Sequence, residues 1–268
     1  MYEWWFSIVL TPLLAFHLWR SGLNRKYPFF FASMLISAVC QSVLAAVAWA
    51  PRNLALSFDI DRPYFWAWTV LSPVSHLMSF LIVLELYSLV FGNYKGIATA
   101  SRWALFTALG ISLAISLLIL PLELRNQASA VSLRGTILRF MFILDRGVTA
   151  SLVVFLLLIA LYLFWCPVPL CRNLILHCIV FSSLFFSRAV LMLVHNIDGN
   201  VPMAIINLLQ EGAWILCQFV WIFWFTPQGE MRQARIRGPA PPAREAALVE
   251  QLDSLNAALL RAGRLRNK

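Results

Sequence analysis

The sequence predicts an all-helical membrane protein: a bundle of seven transmembrane helices, N-terminus outside and C-terminus in the cytoplasm. Three observations point there. Hydrophobic residues make up 61% of the 268 and charged residues only 12%, about half the charge that a soluble chain carries. Seven apolar segments reach the roughly 20 residues that a helix needs to cross the hydrocarbon. The basic residues gather on one side of those segments. A closed β-barrel is the other structure that can span a bilayer, but it reads as alternating segments of about ten residues. The apolar runs here are long and unbroken.

The first expected span, 4–20, follows Met1-Tyr2-Glu3 with no basic residue ahead of it and Arg20 behind it. It reads as a retained helix with an exported N-terminus, not a cleaved signal. The second, 29–49, carries Ala38, Ser42 and Ala46 at helical spacing, a face of small residues that would let another helix approach closely. The third, 64–91, is overlong and should tilt. Its Ser72, Ser75, His76 and Ser79 form one polar stripe, and Glu85 points roughly the other way. The fourth, 102–120, repeats the small-residue spacing with Ala104, Ala108, Ser112 and Ser116. The fifth, 135–164, is again overlong and carries Arg139, Asp145 and Arg146; the sixth, 174–195, carries Arg188; the seventh, 201–225, carries Glu211.

These spans form one membrane domain, 1–225, and 226–268 is a basic cytoplasmic tail. Arg232, Arg235 and Arg237 follow the last span directly, where they would meet anionic lipid heads. Gly238-Pro239-Ala240-Pro241-Pro242 interrupts the chain, and Leu248, Leu252, Leu255 and Leu259 then recur at heptad-like spacing. A short amphipathic helix over 243–262 follows, lying on the membrane or serving a homodimer or a cytoplasmic partner.

Of the 21 basic residues, fourteen lie on the tail side: Arg20, Arg25, Lys26, Lys95, Arg102, Arg172 and eight from Arg232 to Lys268. Only Arg52, Arg62, Arg125 and Arg134 lie opposite, and three more lie inside spans. The richer side stays in the cytoplasm. Tryptophan, which favours the interface, agrees. Trp4, Trp5, Trp49, Trp66 and Trp68 fall at outer ends, and Trp19, Trp103, Trp165, Trp221 and Trp224 at inner ends.

The five cysteines avoid the outer loops, so no structural disulfide is expected. Cys166 and Cys171, with His177 nearby, lack the tight paired spacing of a zinc site. His17 and His177 both fall near the cytoplasmic face. They could hold haem between them, but a histidine near a helix end is more often an interfacial polar group. No cofactor, metal or nucleic-acid partner is expected.

Ionisable groups inside a span cost roughly 2.5–3.5 kcal/mol each on insertion scales, so they are functional candidates by default. At a rise of about 1.5 Å per residue, His76, Asp145, Arg146 and Glu211 all fall roughly 15–18 Å from the outer ends. Arg139 and Arg146 are seven apart and share a helix face. Asp145 is offset from both, so its partner is expected on a neighbouring helix, Arg188 first. The functional reading is a midplane pocket of Arg139, Asp145, Arg146, Arg188, Glu211 and His76, with arginine in excess. It would take a small anionic ligand through paired hydrogen bonds. The alternative is a network of interhelical ion pairs that fixes packing and binds nothing.

Several functions are excluded. A retinal photoreceptor needs a Schiff-base lysine in the last span, and Lys26, Lys95 and Lys268 all lie outside spans. The inner end of the third span reads Glu85-Leu86-Tyr87, without the acidic-Arg-aromatic triplet of receptors coupled to G proteins. The Pro-Gln pair of seven-helix sugar transporters occurs only after the last span, at Pro227-Gln228. Zinc-protease, serine-hydrolase and P-loop motifs are missing.

Tyr27-Pro28-Phe29-Phe30-Phe31, Tyr64-Phe65-Trp66-Ala67-Trp68 and Leu84-Glu85-Leu86-Tyr87, with Arg146 in a Leu-rich fifth span, resemble a group of seven-span bacterial membrane proteins of unknown function, common in acidobacteria. The resemblance implies a bacterial inner membrane and no particular activity. The expected function is a ligand-binding or signal-sensing membrane module whose tail helix passes on the change. The alternative is a transporter in which Asp145, Glu211 and His76 carry coupling protons or contact substrate. An enzyme comes third, because no nucleophile–base pair can be named.

Overall fold

The computed structural model describes residues 3–53, 61–92, 133–165, 170–197, 202–231, 233–234 and 242–266, with isolated positions from 94 to 114. Almost all of these are helical. The long helices are α1 (Glu3–Arg20), α2 (Pro28–Asn53), α3 (Asp61–Val90), α4 (Leu133–Trp165), α5 (Arg172–Ile197) and α6 (Met203–Trp224). A short helix, α7 (Pro227–Met231), and the tail helix, α8 (Pro242–Arg266), complete them. Two-residue strands β1 (Leu170–Cys171) and β2 (Gln233–Ala234) pair antiparallel. The expected fourth span and its small-residue stripe lie mostly outside the described residues. Those described within it, such as Trp103, Phe106 and Ile111, are helical.

Among the described residues, four stretches are long and apolar enough to cross a membrane: Pro28–Val47, Pro63–Val90, Arg172–Val194 and Ala204–Trp224. Two further apolar stretches, Phe6–Arg20 and Gly147–Leu161, are shorter. Their outward faces support the same environment. On α1, Phe6, Val9, Leu13, Phe16 and Trp19 all point outward, while Leu10, Leu14 and Leu18 are buried. A helix that is apolar on both sides, with one side uncovered, is stable where lipid replaces water. This is a helical membrane protein.

The chain divides into two compact units, with boundaries inside α3 and α5. The first holds residues 1–82 and 190–227. Here α1 packs on α2 and on α6. Gly22, at φ 71°, takes the left-handed conformation that ends α1 at little steric expense. A 3-10 turn, Leu23–Arg25, then leads to α2, which opens on Pro28, whose fixed φ suits a first helical position. The core is aromatic. Phe30 meets Trp221 with ring centroids 4.8 Å apart, and Tyr27 meets Phe225 at 5.0 Å. Trp221 is fully buried, so it is a core residue and not part of the inner tryptophan belt. Trp19, Trp66, Trp103 and Trp224 do face outward.

The expected packing face of α2 differs as well. Ser42 and Ala46 are exposed, and Ser42 donates its hydroxyl to its own helix at Ala38 O, 2.7 Å away. Phe30, Ser33 and Met34 are buried instead. Large rings interlocking with α6 have taken the role that small residues were expected to fill.

The second unit holds residues 83–189 and 228–268. Leu152, Phe155, Leu156 and Ile159 form the buried face of α4. Tyr87, near the end of α3, stacks on Phe91 at 4.4 Å and meets Phe155 edge-on at 6.4 Å. The tail belongs to this unit. Gly96 donates its N–H to Asn256 Oδ1 on α8 at 2.7 Å, and Leu252 on the same helix is buried.

Candidate functional site

The six expected site residues occur in both units. Asp145 and Arg188 belong to the second, and their pairing is as the helix angles predict. Arg188 Nη2 donates to Asp145 Oδ1 at 2.5 Å, linking α4 to α5. Asp145 is nearly buried and Arg188 is partly exposed. Buried Nε of Arg188 has no hydrogen-bond partner among the described residues. Arg139 and Arg146 lie on α4, but their side chains are outside the described residues. Glu85, expected apart from this group, is buried near the end of α3.

His76 and Glu211 belong to the first unit. The polar stripe of α3 turns back on its own helix. His76 Nδ1 donates to Ser72 O at 2.7 Å, and Ser79 donates to Ser75 O at 3.0 Å. Such bonds to the preceding turn satisfy a polar side chain within apolar surroundings. The His17 Nε2–H donates to Phe225 O at 2.9 Å, tying the end of α1 to the end of α6. That nitrogen is therefore already used, and the described residues contain no cluster of three metal-binding side chains.

Glu211 has a different setting. It lines a partly open cavity of about 230 Å³. Ser7 and Ile8 from α1, Gln41 and Leu44 from α2, and Tyr64 and Trp68 from α3 form the rest of the wall. Spacing explains the convergence: residues 41 and 44, and 64 and 68, lie three or four apart and so share one helix face. Behind the wall, a polar chain crosses three helices. Gln218 Nε2 on α6 donates to Thr11 Oγ1 on α1 at 2.7 Å. Thr11 makes a long contact of 3.5 Å to Gln41 Oε1. Gln218 and Thr11 are fully buried.

Two polar atoms are left over. The Ser7 hydroxyl, in the cavity wall and only 2% exposed, and Gln218 Oε1 have no hydrogen-bond partner among the described residues. A buried polar atom without a partner costs about 1–3 kcal/mol, and such atoms are few in native structures. Ser7 is also one of the cavity's lining residues. Among the described residues, the only charged side chain in this wall is acidic, opposite in sign to the arginine-rich pocket that the sequence suggested.

Sequence reasoning included Glu211 but missed Ser7, Gln41 and Tyr64, and assigned Trp68 to the interfacial belt. Three of these are uncharged polar residues in separate spans, so neither charge nor periodicity marks them. Against protein-family models, characterised proteins and solved structures, the chain finds no match.

Proposed function

We propose that the protein is a ligand-binding, signal-sensing module of a bacterial inner membrane, with seven spans, an external N-terminus and a cytoplasmic C-terminus. Its site is the cavity lined by Glu211, not the arginine group of α4 and α5. The observation that carries this reading is the buried Ser7 hydroxyl, without a partner among the described residues, in a concave wall that also holds Gln41, Tyr64 and Glu211. A few convergent polar groups in an otherwise apolar hollow are the usual make-up of a small-molecule site. With the N-terminus outside, Ser7, Gln41, Tyr64 and Trp68 all belong to the outer halves of their helices, so a ligand would enter from outside.

The Asp145–Arg188 pair supports the other reading of the midplane charges: an ion pair that fixes the register of two helices. A transporter is the weaker reading. Transport sites of this size are commonly built on broken helices, whereas α1 and α3 run through Pro12 and Pro73 without interruption.

The test is thermal unfolding of the purified protein against a panel of small anions, amino acids, amines and lipids. At least one compound should raise the Tm of the wild type and fail to do so in Ser7→Leu, which fills the cavity. A panel with no effect on the wild type, across every class, would overturn the reading. Deleting residues 243–268 should then leave ligand stabilisation intact and abolish any cytoplasmic output.

A further inference from the structure

We propose that the cavity of the first unit is a site for a small organic cation, of the alkylammonium class, held between the Glu211 carboxylate and the rings of Tyr64 and Trp68. This rests on the reading that the cavity binds a ligand, and adds the ligand's charge and class. Four observations carry it.

First, among the described residues the wall contains one acidic side chain and no basic one. An anion would meet Glu211 in a setting of low polarity, where like charges repel strongly. A cation would be attracted there. Second, Tyr64 and Trp68 are both in the wall, one helical turn apart on α3. Tryptophan and tyrosine are the strongest aromatic partners for a cation within about 6 Å of the ring centre, and the attraction grows when water is excluded. Third, the remaining polar groups are suited to a ligand that carries O–H or N–H. The Ser7 hydroxyl lacks a partner among the described residues, and Gln41 adds its amide to the wall. Ile8 and Leu44 give the ligand's alkyl groups an apolar surface. Fourth, about 230 Å³ lies below the roughly 300–1,000 Å³ of sites for drug-sized molecules, so the cation is small.

The polar chain behind the wall has a place in this arrangement. Gln218 bonds Thr11 and Thr11 touches Gln41, which holds the Gln41 amide in one orientation. The amide of Gln41 is therefore oriented by groups that the ligand never touches.

The experiment uses the full-length protein in lipid nanodiscs and three probes of nearly one shape: choline, its neutral carbon isostere 3,3-dimethyl-1-butanol, and the anion 3,3-dimethylbutyrate. Binding is read by titration calorimetry. Choline should bind at least tenfold more tightly than the neutral isostere, and the anion should not bind. Glu211→Gln should reduce choline affinity about tenfold or more and leave the neutral isostere unchanged. Trp68→Leu should likewise weaken choline, and Trp68→Phe should retain most of its binding. If Glu211→Gln fails to fold, the three-probe comparison on the wild type and the Trp68 pair still decide the matter. Equal binding of choline and the neutral isostere, or preference for the anion, would overturn the cation assignment while leaving a ligand cavity. If none of the three binds but another compound stabilises the wild type and not Ser7→Leu, the cation assignment fails alone. If nothing binds at all, both fall.

Discussion

Asp145 and Arg188 meet across α4 and α5, and removing either one takes a charged partner from the other. Asp145→Asn should lower stability by about 1.5–3 kcal/mol, the range for a hydrogen bond to a charged group. A double-mutant cycle with Arg188→Gln, followed by denaturant unfolding in detergent, should show that the two losses are not additive. Additive losses would mean that the pair contributes nothing. Ser7 makes the opposite prediction. Its hydroxyl is buried without a partner among the described residues, so Ser7→Ala removes a penalty and not a bond. It should leave the empty protein as stable or raise it by about 1 kcal/mol, measured by thermal unfolding. The ion pair was legible in the sequence because helical angles made partners on the same helix a poor fit and pointed to a neighbouring helix. The cavity was not. Its wall comes from four helices, and no one-dimensional period says which faces of separate helices meet.

At the scale of elements, the tail helix is the clearest case. Heptad-like leucines predicted a helix over 243–262, and α8 covers it. What α8 touches could not be read from those leucines. Leu255 is half-exposed, while Asn256 and Leu259 meet Gly96. A side chain at Gly96 would come within 2.6 Å of the Asn256 carbonyl, nearer than atoms tolerate. Gly96→Val should therefore release α8, seen as faster protease cleavage within 242–266 and unchanged stability of the first unit. Unchanged cleavage would refute this docking. The turn after α6 is similarly tight. Asn173 donates to Glu230 Oε1 at 2.9 Å, and a methyl group on Gly229 would collide with Asn173. Gly229→Ala should cost about 1–3 kcal/mol through overpacking, again by denaturant unfolding. The small-residue face of α2 was misread for a related reason. Spacing finds faces that could pack closely, but ring size on the neighbour decides which face is used.

At the scale of the whole molecule, composition and hydropathy carried the reading furthest. They identify a helical membrane protein because lipid exposure leaves a mark on every outward residue. The orientation is a statement about charge in loops, and labelling tests it. In a cysteine-free background, Ser57→Cys should react with a membrane-impermeant maleimide added outside intact cells, and Ser21→Cys should react only after lysis. The reverse pattern would invert the topology.

The β1–β2 ladder cannot form before residue 234 has been made. It joins Leu170 to Ala234, and all of α6 lies between them. The polar chain of the first unit likewise waits for Gln218. Both units therefore borrow strands or helices from the end of the chain, and neither can close while the ribosome is still making α6. Until then Thr11 and the aromatic face of α2 sit in the bilayer without their final partners. Early helices that must wait in this way are open to degradation and need a chaperoning environment. A chain halted before residue 203 would lack α6 and complete neither core.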